Sequence, residues 1–188
     1  MQNKKDLRVI KTEKVLFDAL IDLMTDKSFE SIKVSDICSK ALINRSTFYS
    51  HYSDKYELLV GYINALEESL LNKLDTLNKS ISNKDYFIET IKLMLNHFEE
   101  KRETYYKVLL NNRNSIFIDI VINAISKDIN KRINEDYNIK NSKIPVDIIS
   151  TFYLGAVSNV IISWLNNDKK YTKEEIVIYL DKLIPDNI

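Results

Sequence analysis

Val34–Leu59 reads VSDICSKALINRSTFYSHYSDKYELL, two short helical patterns with almost nothing between them to form a loop. Ile37, Cys38 and Ala41 recur on one helix face. Asn44 can then cap a second helix whose buried side is Phe48, with Tyr52 just beyond it. Cys38 is small where one helix must let the other cross, and Ile43 and Phe48 fill the angle between them. This is the pattern of a helix-turn-helix. The second helix turns Arg45, Ser46, Thr47, Tyr49 and Ser50 outward, with His51 and Lys55 close behind and Lys33 and Ser35 at the start of the first helix. Side chains of these types bond base edges and phosphates; for Tyr49 the other reading is a core aromatic, and for His51 a surface residue.

Upstream, the spacing predicts a helix over Leu7–Met24, with Leu16, Leu20 and Leu23 on one face and Asp18, Asp22 and Asp26 on the other. Ser28–Lys33 is a short connection in which Phe29 and Ile32 plug the small core. Downstream, Asp54 followed by Glu57 starts a helix whose stripe of Leu58, Leu59, Tyr62, Ile63, Leu66, Leu70 and Leu74 runs to about Leu77. No linker interrupts it, so this rod belongs to two modules. After a polar stretch, Asn78–Lys84, helical patterns follow at Asp85–Glu100, Tyr105–Asn111 and Ser115–Tyr137, the last striped by Ile118, Ile122, Ile125, Ile129 and Ile133. Asn138–Lys143 is a surface connection. Pro145 suits the first turn of a helix reaching Asn166, Thr172 with Glu175 makes another capping box, and Pro185 stops the last helix after Ile184.

With only two glycines and two prolines in 188 residues, the chain has too few turn formers for sheets and hairpins, so an all-α protein is expected. Lys and Arg total 27 against 27 Asp and Glu, so bulk charge points to no polyanionic ligand. The charge is uneven, however: Lys4, Lys5, Arg8, Lys11 and Lys14 face only Asp6 and Glu13 in the first fourteen residues. That end is either a solubilising terminus or, beside a helix-turn-helix, a phosphate contact. A single cysteine and a charged opening suit the cytoplasm. Val146–Leu165 is the most apolar window, but Asp147, Ser150, Ser158, Asn159 and Ser163 interrupt it and no membrane association is expected.

From about Lys11 to Leu59 the chain resembles the TetR family of transcriptional regulators; Ile43–Leu59 is similar to that family's recognition helix and the start of its fourth helix. The resemblance implies a helix-turn-helix DNA-binding domain at residues 1–53, joined through a shared fourth helix to a helical ligand-binding and dimerisation domain at residues 54–188. It further implies that the helix bearing Arg45, Thr47, Tyr49 and Ser50 enters the major groove of a double-stranded DNA operator, with Tyr49, His51 and Lys55 on phosphates. Ser28 and Leu42 depart from the glycines common in the family. A left-handed Leu42 would cost on the order of 1 kcal/mol.

The same resemblance implies a cavity for a small-molecule effector, unidentified, for which Met94, His97, Phe98, Tyr105, Tyr106, Phe117 and Tyr153 combine apolar bodies with polar tips. The other reading of those rings is core. On the Pro145–Asn166 helix, Ile149, Phe152, Tyr153, Ala156, Val160 and Trp164 are expected inward. Thr151, Gly155, Ser158 and Ile162 form a second face, and the final helix adds Ile176, Leu180, Leu183 and Ile184. Two apolar faces need two partners: the protein's own core on both sides or, as the resemblance implies, a second subunit in a homodimer across Thr151, Gly155, Ser158, Ile162, Ile176, Leu180 and Leu183. No catalytic, metal or cofactor constellation appears: His97 and Glu100 lack further ligands at metal-site spacing, and a phosphate-cradling glycine loop is missing. The expected function is a ligand-responsive repressor on a palindromic operator. The alternative is a co-activator of the same fold that works through a partner protein, suggested by Asp36 and Glu57 near the motif.

Overall fold

The computed structural model describes residues 7–75, 82–112, 116–121, 123, 144–166 and 170–185. Eight helices are delimited among them: α1 Leu7–Met24, α2 Val34–Ala41, α3 Arg45–Tyr49, α4 Lys55–Asp75, α5 Asn83–Glu100, α6 Arg102–Asn112, α7 Val146–Asn166 and α8 Lys173–Leu183. A 3-10 turn, Phe29–Ser31, links α1 to α2, and residues 116–121 are also helical. The all-helical expectation holds: no strand occurs among the described residues. Ile122, Ile125, Ile129 and Ile133 of the expected Ser115–Tyr137 stripe lie outside the described residues, as do Lys4, Lys5, Asp6, the stretch 76–81 and Asn138–Lys143.

Local chemistry sets several helix starts. Asp54 Oδ1 accepts the N–H groups of Tyr56 and Glu57 at 2.8 Å, while the Glu57 carboxylate reaches back to the N–H of Ser53 at 2.6 Å. The Ser82 hydroxyl accepts from Asp85 N–H at 3.1 Å, and Thr172 and Glu175 exchange bonds of 3.1 and 2.8 Å. The expected box at Thr172 is therefore made in full.

Two cores result. The first gathers Leu16, Leu20 and Met24 of α1, Phe29 and Ile32 of the turn, Ile37 and Cys38 of α2, Phe48 of α3, and Leu58 and Leu59 of α4. It is not closed by the N-terminal helices alone, because Val108 of α6 and Phe117 complete it. The second core joins Ile88, Ile91 and Leu95 of α5 to Trp164 and Leu165 of α7 and Ile176 and Leu180 of α8. Gly61 has a specific use: a Cβ there would stand 2.9 Å from a ring carbon of Tyr52, so only glycine lets that ring lie against α4.

By length and composition α7 could cross a membrane, with an 18-residue window of mean hydropathy 1.6. Here it packs on α6, and Ile161, Trp164 and Leu165 enter the second core. Its inward face differs from the expected one: Ser150, Leu154, Ile161, Trp164 and Leu165 are buried, whereas Phe152 is 66% exposed and Ala156 is also exposed. The helix is apolar nearly all round, so periodicity does not choose its buried side.

The turn between α2 and α3 settles the Leu42 question. Leu42 has φ 56° and ψ 40°, the left-handed region, and among the described residues it is the one non-glycine with positive φ. Its N–H reaches the carbonyls of Cys38 and Ser39, and Ile43 N–H donates to Cys38 O at 3.0 Å. Ser28, by contrast, has φ −65° and ψ 147°, ordinary extended backbone in which glycine has no advantage. Since the Leu42 side chain is 93% exposed, Leu42→Gly sacrifices little packing and is expected to raise stability by about 1 kcal/mol, or ~2–4 °C in Tm by thermal unfolding. An unchanged or lowered Tm would show that the leucine makes contacts that compensate for its backbone.

Candidate nucleic-acid interface

Five residues make α3, and Phe48 alone of them is fully buried, its ring 5.4 Å from Tyr49 and 6.3 Å from Tyr52. Fixing Phe48 inward fixes the rest. Arg45, Ser46, Tyr49 and Ser50 are exposed, Tyr49 by 56%, while Thr47 and His51 are half-buried. The Ser50 hydroxyl donates to Thr47 O at 2.8 Å, which leaves its oxygen to accept. Asn44 occupies the N-cap position without a capping bond from its side chain, contrary to expectation. Between α2 and α3 lies a groove of about 360 Å³ lined by Ser35, Cys38, Ser39, Leu42, Ile43, Asn44 and Arg45. Ser39 was missed by the sequence reading; the available signal was its spacing of four from Ser35, which puts both on one face of α2.

Lys33 is exposed, and its N–H donates to Asp36 Oδ2 at 3.2 Å, where the Lys27 ammonium also binds at 2.7 Å. The Lys27 bond, aided by the Lys33 N–H, holds the Asp36 carboxyl below its usual pKa. Lys55 is placed differently from the other candidates. Its Nζ donates to the carbonyls of Phe29, Glu30 and Ile32 at 2.9, 2.8 and 2.9 Å and lies 4.9 Å from the Phe29 ring centre. An ammonium has three N–H donors, and all three are engaged by the 3-10 turn, so none is left for a phosphate in this conformation. Burial pulls the Lys55 pKa below the usual lysine value.

Comparison with known proteins matches both halves of the molecule. Residues 16–61 match the family model of bacterial regulatory proteins, tetR family, and residues 85–186 match that of a transcriptional regulator C-terminal region. The chain belongs to the TetR family of transcriptional regulators. A TetR transcriptional regulator from Streptococcus agalactiae 2603V shares the fold at TM-score 0.64 and 27% identity, over 95% of this chain and 96% of that one. DhaS, the HTH-type dhaKLM operon transcriptional activator of Lactococcus lactis subsp. lactis (strain IL1403), is 30% identical over 55% of this chain and 51% of its own length. YxbF, an HTH-type transcriptional regulator of Bacillus subtilis (strain 168), is 44% identical over 29% of this chain and 14% of its own length. This chain thus aligns with about half of DhaS and a smaller part of YxbF.

In this TetR-family chain the seven effector candidates separate. His97, Phe98 and Tyr105 meet: the Tyr105 ring stands 4.9 Å from Phe98 and 5.3 Å from His97, and its hydroxyl bonds His97 Nε2 and, at 2.8 Å, the Tyr62 hydroxyl. Burial pushes the Tyr62 and Tyr105 pKa values up, so both phenols stay protonated at neutral pH. Met94 and Tyr153 are half-buried, Tyr106 is exposed, and Phe117 belongs to the first core instead. An open groove of about 390 Å³ beside the cluster is lined by Leu93, Asn96, His97, Glu99, Glu100 and Lys173. Tyr62 entered the sequence reading only as a stripe residue.

The expected dimer residues separate as well. Thr151 and Leu183 are exposed and Gly155, Ser158 and Ile162 half-buried, whereas Ile176 and Leu180 are buried in this chain's own second core. The apolar groups facing outward beside the expected ones are Ile148, Phe152, Ile178 and Tyr179.

Proposed function

We propose that this regulator reads a palindromic operator as a homodimer, each protomer laying α3 in a major groove, and that a small-molecule effector releases it. One observation carries the reading: Phe48 is fully buried while Arg45, Ser46, Tyr49 and Ser50 project from the same short helix. Arg45 can bond guanine in bidentate fashion, the Thr47 methyl can meet a thymine methyl, Ser35 and Asn44 edge the groove, and Lys33, Tyr49 and His51 are placed for phosphates. Ser39 joins this set. Lys55 takes the role of a clamp behind the surface.

A single short helix provides few base contacts, so pairing two supports useful specificity, with half-sites about 34–36 Å apart or a multiple of that. Outward apolar side chains on α7 and α8 support the pairing, above all Phe152 and Leu183, the latter 72% exposed. A Cβ on Gly155 would meet nothing within 4 Å, which leaves room for a close partner helix. For the effector, a ligand entering among α4, α5 and α6 must break or replace the Tyr62–Tyr105–His97 bonds. Such exchange would favour one arrangement of the heads over another.

The co-activator reading loses its first support, because Asp36 is paired with Lys27 and Glu57 accepts the Ser53 N–H and hydroxyl. DhaS is an activator by name, which makes a promoter-reporter assay the test of the sign of regulation. For DNA reading itself, Arg45→Ala is expected to reduce discrimination between the DNA flanking its own gene and a shuffled fragment by about 1–3 kcal/mol. Fluorescence anisotropy measures it. Unchanged discrimination would remove Arg45 from base recognition.

A further inference from the structure

We infer that Asn112, at the C-terminal end of α6, is a positioning residue of the DNA-reading head; the inference rests on the proposed role of α3. Asn112 is 1% exposed and both halves of its amide are used. Its Nδ2 donates to Val108 O at 2.7 Å within its own helix. Its Oδ1 accepts the N–H of Phe29 at 2.7 Å, across 83 positions of sequence. Phe29 opens the 3-10 turn, and the first N–H of such a turn has no acceptor inside it, so Asn112 supplies what the local backbone cannot.

The same residue is gripped from the other side. Lys55 holds Phe29 O at 2.9 Å, so the turn is fixed at its donor by α6 and at its acceptors by α4. Neighbouring bonds repeat the connection: Asn111 Nδ2 donates to Thr25 O at 2.7 Å, and Ile116 N–H donates to Glu30 Oε1 at 3.1 Å. α2 begins two residues after Ile32, and the Cys38–Ile43 turn joins it to α3, so displacement of the 3-10 turn moves the reading helix with it. At its other end α6 is anchored to α7, where the Arg102 guanidinium donates to Trp164 O at 2.5 Å and stacks 4.3 Å from the indole centre. Midway, Tyr105 meets Tyr62 and His97. α6 is therefore a strut from the effector cluster to the head, and Asn112 is its coupling. A leucine of similar size would fill the space but supply neither acceptor nor donor.

The test compares the full-length Asn112→Leu variant with Val108→Ala, a cavity-forming control one turn earlier on α6. Hydrogen–deuterium exchange is followed in peptides covering residues 29–41, and affinity for the DNA flanking its own gene is measured at two salt concentrations. Asn112→Leu is expected to speed exchange in that segment by about ten-fold and to weaken DNA binding by a similar factor with the salt slope unchanged, since no phosphate contact is lost. Val108→Ala opens a cavity in the same core but keeps the Asn112 bond, so it is expected to speed exchange in residues 29–41 no more than in α1 and to weaken DNA binding less. The same ratio of exchange in residues 29–41 to exchange in α1 for the two variants, or no change in residues 29–41 on Asn112→Leu, would overturn the inference. Should the leucine variant fail to fold, the wild-type chain decides: protection of the Phe29 amide like that of core α1 amides supports the bond, and free exchange there refutes it. Exchange is read without DNA, so failure of the wild-type chain to bind DNA counts against the operator reading and leaves the coupling to be decided by the exchange contrast.

Discussion

Substituting Phe48 by alanine is expected to destabilise the protein by about 3–5 kcal/mol, as removal of a buried phenyl ring does where the site cannot collapse. The site is poorly able to collapse, because the ring is fully buried and set between Tyr49 and Tyr52, and Gly61 already admits Tyr52 as close as a helix backbone permits. A loss of that size is a large share of the ~5–15 kcal/mol that holds a typical domain together. DNA binding should vanish with it, since α3 has no other fully buried residue to fix its rotation. Urea unfolding followed by circular dichroism measures the change from the midpoint at constant slope. A loss below about 1 kcal/mol would mean that α3 is held by something other than this ring.

Lys55→Met is expected to cost about 3 kcal/mol, because three charge-assisted hydrogen bonds to carbonyls disappear together and their partly exposed share is discounted. Methionine keeps the unbranched body of the side chain, so packing contributes little to the loss. The surviving fraction of folded protein should show the wild-type dependence of DNA binding on salt. That outcome separates a clamp from a phosphate ligand, whose removal flattens the slope by about one unit. A flattened slope would mean that the ammonium leaves the turn for the DNA backbone on binding.

Much of the fold was legible because local signals agree with the tertiary arrangement. The Thr172–Glu175 and Asp54–Glu57 spacings mark real helix starts, and Leu16, Leu20 and Phe48 are buried as their periodicity requires. α7 was legible as a helix but not in its rotation, since a sequence apolar on every side leaves the choice of face to its neighbours. The sequence pattern thus places Phe152 inward while the residue stands outward, and Ile176 and Leu180 of α8 lie in the chain's own core. At the reading head the polar face of α3 follows from the position of Phe48 alone. Lys55 and Asn112 do not follow from any local pattern: an ammonium meeting three carbonyls 23–26 positions away and an amide meeting an N–H 83 positions away exist only once the chain has folded.

The central claim is that the outward face of α3 binds a duplex. Fluorescence anisotropy of the full-length protein against the DNA flanking its own gene and against a shuffled fragment, between about 50 and 200 mM salt, tests it most directly. Preferential binding to the flanking DNA that weakens steeply with salt is predicted. No binding, or equal binding to both fragments at every salt concentration, would contradict it.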